Sequence, residues 1–335
     1  MKKKIISMAL LGALTVVSLA ACSNSGSQNA QLENQNKDAK YKVGVCQLVQ
    51  HDALDAATDG FVQALRDELG EDVFIDVQNA SGDSATCATI CNTFVSEGYS
   101  LIMGNATPAL QAASQATDSI PVVGTSITDY ATALGIDAAD WNGTTGSNVT
   151  GASDLAPLDK QAEMIKELFP DAKKVGILYC TGEPNSLYQA TEITKDIEGY
   201  GYEVEEFTFA DTNDIQGVVT NACANCDVLY IPTDNTAASA TETIANVAIP
   251  AGIPIVTGEE GICKGCGVAT LSISYYDMGY NAGKMAAELL TSGANPGDME
   301  IQYSKDVTKK YNASICEQLG IDGTKIPADY VEIED

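Results

Sequence analysis

Ile120-Pro121-Val122-Val123 and Ile253-Pro254-Ile255-Val256 are two copies of one short apolar strand, set 133 residues apart. Two further pairs keep almost the same spacing. Lys42-Val43-Gly44 returns as Lys174-Val175-Gly176, a shift of 132, and residues 73–83 return as 204–214, a shift of 131. Each match is short, but a common offset at three separate places is the trace of two similar lobes rather than of a solenoid.

Working outward from residues 121–123, further apolar runs at 43–46, 73–77 and 101–103 read as strands. Amphipathic stretches at 53–69, at 84–97 and from near Pro108 read as the helices between them. Short strands alternating with helices of this length give parallel sheets with right-handed crossovers. The expected fold is therefore α/β, with two similar doubly wound parallel-sheet lobes joined by a multi-strand hinge. Polar or glycine-bearing crossings are expected at 148–154, 272–276 and 300–304. Residues 41–151 with 275–301 then form the N-terminal lobe, and 152–274 with 302–335 the C-terminal one. Two lobes on several crossing strands suit capture of a ligand by closure. Asp83 and Asp214 fall where helices begin and are expected to cap them.

The front of the chain carries an address. Lys2, Lys3 and Lys4 precede an apolar run too short to span a bilayer, and Leu19-Ala20-Ala21-Cys22 reads as a lipobox. Residues 1–21 are expected to be a signal peptide, with Cys22 as the lipidated, palmitate-carrying N-terminus. Residues 22–40, rich in Ser, Asn and Gln, read as a disordered tether. The expected location is the extracytoplasmic face of the cell membrane, held by lipid. The formal net charge of −28 would repel nucleic acid and anionic lipid, and Arg66 is the sole arginine. No nucleic-acid partner is expected.

In parallel α/β sheets, ligands bind beyond the carboxyl ends of the strands. The loops there supply Gln47, then Asn105, Ala106 and Thr107, then Thr125 and Ser126 in the first lobe. The second lobe supplies Glu183, Asn185 and Ser186, then Asp234 and Asn235, then Glu259, with Asp154 at the first crossing. Pro108 at a first helical position makes Thr107 an expected N-cap, with Asn185-Ser186 and Asn235-Thr236 repeating the arrangement. Free helix N–H groups suit a carboxylate, while Asp154, Asp234 and Glu259 suit an ammonium. With no arginine in these loops, the expected solute is a zwitterion. Tyr130, Trp141 and Tyr276 are the aromatic residues available to cover an apolar side chain.

Other chemistries find little support. His51 is the single histidine, and no nucleophile elbow, phosphate-binding loop or dinucleotide fingerprint is present. No enzyme activity and no cofactor are expected. Cys223 and Cys226, with Cys263 and Cys266, make two CxxC pairs that suit a zinc site, disulfides or free thiols. Cys87 and Cys91 lie one helical turn apart and read as core-facing.

Several motifs together resemble one known family. They are Gln47 with His51-Asp52-Ala53-Leu54-Asp55-Ala56, Ala106-Thr107-Pro108-Ala109, Thr128-Asp129, and Asn148-Val149-Thr150-Gly151 with Ser153-Asp154. Gly182-Glu183-Pro184-Asn185-Ser186, Pro232-Thr233-Asp234-Asn235-Thr236 with Ala238-Ser239-Ala240, and Tyr275-Tyr276-Asp277-Met278-Gly279 complete the set. The chain resembles the substrate-binding lipoproteins of ABC importers with the type I periplasmic-binding fold, in the group that includes tryptophan- and tyrosine-type binders. It departs from that pattern at Asp52 and Tyr130. The resemblance implies a monomer that captures an amino acid and docks on a membrane permease. It also implies ligand contacts from Thr107, Thr125, Ser126, Asp154, Asn185, Ser186 and Asp234. A sugar or nucleoside binder, or a sensor of the same fold, is the alternative.

Overall fold

The structure, a computed structural model, describes residues 35–304 and 306–334. The expected signal peptide, Cys22 and most of the expected tether lie outside the described residues. The first lobe begins β1 (Tyr41–Gln47), α1 (Asp52–Leu69), β2 (Val73–Asn79), α2 (Ser84–Ser96) and β3 (Leu101–Asn105). It continues with α3 (Thr107–Ala116), β4 (Val122–Ile127), α4 (Tyr130–Leu134) and β5 (Val149–Ser153). Then come α5 (Leu158–Leu168), β6 (Lys174–Cys180), α6 (Pro184–Gly199), β7 (Glu203–Phe209), α7 (Ile215–Asn225) and β8 (Val228–Ile231). Next are α8 (Asn235–Ala238), α9 (Thr241–Ala251), β9 (Ile255–Thr257), α10 (Glu260–Cys266) and β10 (Ala269–Ser272). The chain closes with α11 (Tyr275–Ser292), β11 (Gln302–Tyr303), β12 (Thr308–Tyr311), α12 (Ala313–Gln318) and β13 (Val331–Glu332).

Two sheets result, in the orders β11-β5-β4-β3-β1-β2 and β13-β12-β10-β9-β8-β6-β7. Neighbours pair in parallel, except that β10 and β12 are antiparallel. The repeat is visible in this order: β1 lies between β2 and β3 as β6 lies between β7 and β8, and β4 and β9 carry the repeated Ile-Pro runs. Each sheet has its own core. Leu54, Phe94, Ile102 and Leu110 belong to the first, and Leu178, Phe207, Leu229 and Ile262 to the second. Buried runs such as Val43 to Cys46 fit strands covered by helices on both faces.

The chain passes between the sheets three times, after Ser153, after Ser272 and after Tyr303. Strand pairing keeps Ala152, Ser153, Gln302 and Tyr303 on the first sheet, where the sequence put the crossings at 151/152 and 301/302. Helix α11 follows a strand of the second sheet yet packs along α1 of the first lobe. Glycine makes that fit possible. A Cβ on Gly279 would lie 2.0 Å from the Ala57 carbonyl oxygen, and one on Gly60 2.0 Å from that of Tyr276.

Local expectations fail where tertiary contacts decide. Asp83 caps α2, accepting from Thr86 N at 2.5 Å, but Asp214 has helical dihedrals and makes no capping bond. The tether ends early: Gln35 donates to the Ile75 carbonyl and accepts from Ile75 N, both at 2.7 Å, and also accepts from Arg66. Residue 35 thus extends the edge of β2, five residues before the expected boundary. Cys87 and Cys91 are fully buried in the first core, as core-facing residues are.

All nine cysteines among the described residues are free thiols. Neither a disulfide nor a four-cysteine zinc site joins Cys223 and Cys226 to Cys263 and Cys266. Cys223 lies on α7 with Cys226 just past its end, Cys263 and Cys266 lie on α10, and α9 packs against both helices. Burial pushes the Cys226 thiol up to about 11 and the Cys263 and Cys266 thiols higher still. Among the described residues no cluster of His, Cys, Asp and Glu can hold a metal ion.

Candidate functional site

The carboxyl ends of both sheets face each other across a cleft, and the polar loops meet there. A small cavity of about 10 Å3, room for one water-sized group, is lined by Ser126, Asp154, Asn185, Asp234, Asn235 and Glu259. His51, Ala53, Leu54, Thr233, Ala238 and Tyr275 complete its walls. Two larger cavities adjoin it. One of about 320 Å3 shares Asn235 and has Leu48, Val49 and Pro108 on the first-lobe side, opposite Cys180, Glu183 and Ala210. The other, of about 290 Å3, shares His51 and Glu259 and is lined by Gln50, Asp52 and Lys264. A separate groove of about 450 Å3 lies among α9, α10 and α12, away from these strand ends.

The remaining first-lobe candidates stand behind the cavity wall. Gln47 donates to Asp55 at 2.6 Å and accepts from Thr58 at 2.6 Å. Asn105 donates to the Leu54 carbonyl and to Thr58, and its Oδ1 accepts from Thr125 at 3.2 Å and Ser126 at 2.8 Å. This network fixes the start of α1 against β3 and β4. Ala106, not Thr107, is the N-cap of α3, at φ 83° and ψ 156°. Thr107 is the first helical residue, and its hydroxyl is buried without a hydrogen-bond partner. An alanine in the left-handed region gives no sequence signal of that turn.

In the second lobe the carboxylates act mostly on helix starts. Glu183 accepts from the backbone and side chain of both Asn235 and Thr236, at 2.6–3.0 Å, and from Asn185 Nδ2 at 3.1 Å. Asp234 accepts from Ala237 N and Cys180 N, each at 2.7 Å, so it caps α8 and ties it to β6. Ser186, fully buried, bonds to Asp234. Glu259 caps α10 through Gly261 N and Ile262 N. The expected caps Asn185-Ser186 and Asn235-Thr236 fall inside helices instead: α6 starts at Pro184 with no side-chain cap, and α8 starts at Asn235 with Asp234 as its cap.

Asp154 differs from these two. Its side-chain partners are hydroxyls, Thr128 Oγ1 at 3.1 Å and Tyr275 OH at 2.9 Å. Burial pushes its carboxyl up to about 6. Burial also raises Glu259 to about 7, and burial with the neighbouring Glu183 charge raises Asp234. No Lys or Arg lines the small cavity to offset them. Desolvated carboxylates facing a cation-free space favour a cationic guest.

His51 joins the lobes, its Nε2 lying 3.2 Å from Asn235 Oδ1. Gln189 adds a bridge to Thr128 at 3.3 Å. Burial holds the imidazole pKa down. The aromatic expectations move: Tyr130 is wholly buried in the first core, Trp141 packs against that core, and Tyr276 is 42% exposed. Tyr275, one residue earlier, is the aromatic residue at the cavity. Sequence reasoning also left His51, Thr128, Gln189 and Thr233 out of the site, since only the fold brings them across the cleft.

Comparison with known proteins agrees with this architecture. A family model described as ABC transporter substrate binding protein matches residues 42–325. The chain is similar to the tyrosine-binding protein of Clostridioides difficile strain R20291, 35% identical over 335 residues, covering 98% of this chain and 95% of that one. Among solved structures it is similar to the ABC domain from Streptococcus pneumonia in complex with L-Trp. That pair is 33% identical with a TM-score of 0.81, covering 88% of this chain and all of the other. A substrate-binding protein with adhesive properties from Clostridium difficile, in its ligand-free, open structure, has the same identity and coverage but a TM-score of 0.65. With two parallel-dominated sheets, strand-end loops facing across a cleft and a family match over most of its length, the chain belongs to the ABC transporter substrate-binding proteins.

Proposed function

We propose that this protein captures a free amino acid, aromatic in the first instance, by closing its lobes on it, and hands it to a membrane permease. The observation that carries the reading is the small cleft cavity, with a buried Asp154 and no cationic side chain. An ammonium group fits that space in size and charge.

The zwitterion's other end belongs to the first lobe. In the second lobe Asp234 and Glu183 occupy the start of α8 and Glu259 that of α10, whereas α1 and α3 in the first lobe, like α6, begin with no side-chain cap. Ala53 and Leu54, in the first turn of α1, border the cavity, and Thr107 holds an unpartnered hydroxyl at the start of α3. These positions suit a carboxylate. The side chain then extends into the adjoining cavity beside Leu48, Val49 and Pro108. A ligand that bridges both lobes favours the closed form, because only that form makes both sets of contacts. The higher TM-score with the L-Trp complex than with the open, ligand-free structure supports a closed conformer here. Lipid on Cys22 would keep the monomer at the outer face of the membrane, beside its permease.

Thermal denaturation with each of the twenty amino acids, and with sugars and nucleosides as controls, tests the reading. A ligand at a hundred times its Kd adds about 2.7 kcal/mol. Stabilisation by a sugar or nucleoside and by no amino acid would refute it.

A further inference from the structure

Behind the small cavity the two lobes meet each other directly. Thr128, one residue past β4, and Gln189, on α6, are both buried. Neither lines the small cavity or the two beside it, so neither is placed to touch a ligand there. Hydrogen-bond directions across this contact are fixed. Gln189 Oε1 accepts from Thr233 N at 3.2 Å, which makes the group facing Thr128 the Nε2 amine, 3.3 Å from Thr128 Oγ1. Thr128 itself donates to Asp154 at 3.1 Å, and a carboxylate can only accept. With its one proton committed, the Thr128 hydroxyl keeps two lone pairs for the second lobe. Gln189 donates to one. Thr233 Oγ1, 3.5 Å away and itself accepting from Gln189, faces the other. Every donor in this relay therefore points from the second lobe toward Asp154.

Resting on the lobe closure proposed above, and not on which ligand causes it, we infer that Thr128 is the catch of a direct latch between the lobes, oriented by Asp154. The second lobe closes on this catch without ligand, and a ligand adds to a closed form that the protein already visits. Opening breaks the bonds from Gln189 and Thr233 to Thr128, and that between His51 and Asn235. Each half stays assembled. Gln189 keeps Thr233 N and the Asn185 carbonyl, each at 3.2 Å, while Thr128 keeps Asp154 and accepts at its carbonyl from Ser153 Oγ at 3.0 Å. Two preformed halves lose little freedom on meeting, which suits an element that opens and closes.

A latch that touches no ligand acts on every ligand alike. Where tight binding needs the closed form, apparent affinity scales with the closed population. Removing the catch therefore weakens different ligands by one common factor, whereas removing a ligand contact discriminates among them. Thr128 is a positioning residue in this sense. One neutral hydrogen bond corresponds to about five- to tenfold.

Two measurements on the ligand-stripped protein test the inference: small-angle X-ray scattering with and without L-tyrosine, and calorimetric titration with L-tyrosine and L-tryptophan. The variants are Thr128→Val, Thr128→Ser, Gln189→Met and the Thr128→Val/Gln189→Met double, each checked for fold by thermal denaturation. Stripped wild type is expected to be more compact than Thr128→Val, and Thr128→Ser, which keeps the hydroxyl, to match wild type. Thr128→Val and Gln189→Met should each weaken both amino acids by the same factor, about five- to tenfold. The double variant should lose no more than either single one, because both remove the same bond. Stripped wild type as expanded as Thr128→Val, with L-tyrosine compacting both, would overturn the latch and leave closure by ligand intact. Losses that multiply in the double variant would also overturn it. Scattering changed neither by L-tyrosine nor by any variant would refute closure itself. Should neither amino acid bind, the choice of ligand falls, and the scattering of the stripped proteins still decides the latch.

Discussion

Replacing Asp154 by Asn should make the ligand-free protein more stable at neutral pH, although Asp154 is buried and hydrogen-bonded. Its carboxyl is raised by burial from 3.8 to about 6. A raised folded-state value means stability present below pH 3.8 that is lost as pH climbs through 6. The difference of about two units corresponds to about 3 kcal/mol of penalty at pH 7.5. Asn keeps the shape, and its amide can still meet the Thr128 and Tyr275 hydroxyls, which accept as well as donate. A gain of about 3 kcal/mol would raise Tm by roughly 6–10 °C in a chain of this size. The assay is thermal denaturation of both proteins, stripped of ligand by unfolding and refolding, at pH 7.5 and at pH 4. The gain should be present at pH 7.5 and nearly absent at pH 4. A gain independent of pH, or a loss of stability at pH 7.5, would refute the reasoning.

Glu183→Gln should destabilise the second lobe by about 2–4 kcal/mol, because a carboxylate that accepts from Asn235, Thr236 and Asn185 loses its charge and one acceptor oxygen; urea denaturation measures it, with reduced ligand affinity alongside. Gly279→Ala should cost about 3 kcal/mol, since its Cβ would lie 2.0 Å from the Ala57 oxygen and force α1 and α11 apart; an unchanged urea midpoint would contradict that packing. Thiol titration of the chain lacking residues 1–22 should find little reaction except at the half-buried Cys223, and nine reactive thiols after unfolding. Fewer than nine in denaturant would mean that disulfides form.

Much of the architecture is legible from local pattern. The strands at 43–46, 73–77 and 101–103 and the offset near 132 follow from apolar runs that any parallel sheet of this kind requires. Strand ends then locate the loops, so Ser126, Asp154, Asn185, Asp234, Asn235 and Glu259 all reach one cavity. The function of each group is less legible, because it depends on partners distant in sequence. Glu183 caps a helix that starts 52 residues later, and nothing near Glu183 announces it. Thr107 reads as a cap because Pro108 follows it, yet Ala106 takes that position in a strained conformation. Tyr275 and Tyr276 are adjacent and alike, and only the start of α11 decides which faces the cavity.

The close seat of α11 on α1 has a consequence for how the protein is made. Gly60 waits for a partner more than 200 residues downstream, and Ala152 and Ser153 of β5 wait for Gln302 and Tyr303 of β11. As synthesis proceeds from the N-terminus, the first lobe to emerge stays incomplete, its α1 face uncovered, until residues 275–303 arrive, and the second lobe closes only with β12 and β13 after them. Truncation anywhere before α11 should therefore leave not one finished lobe and one missing lobe, but two unfinished ones.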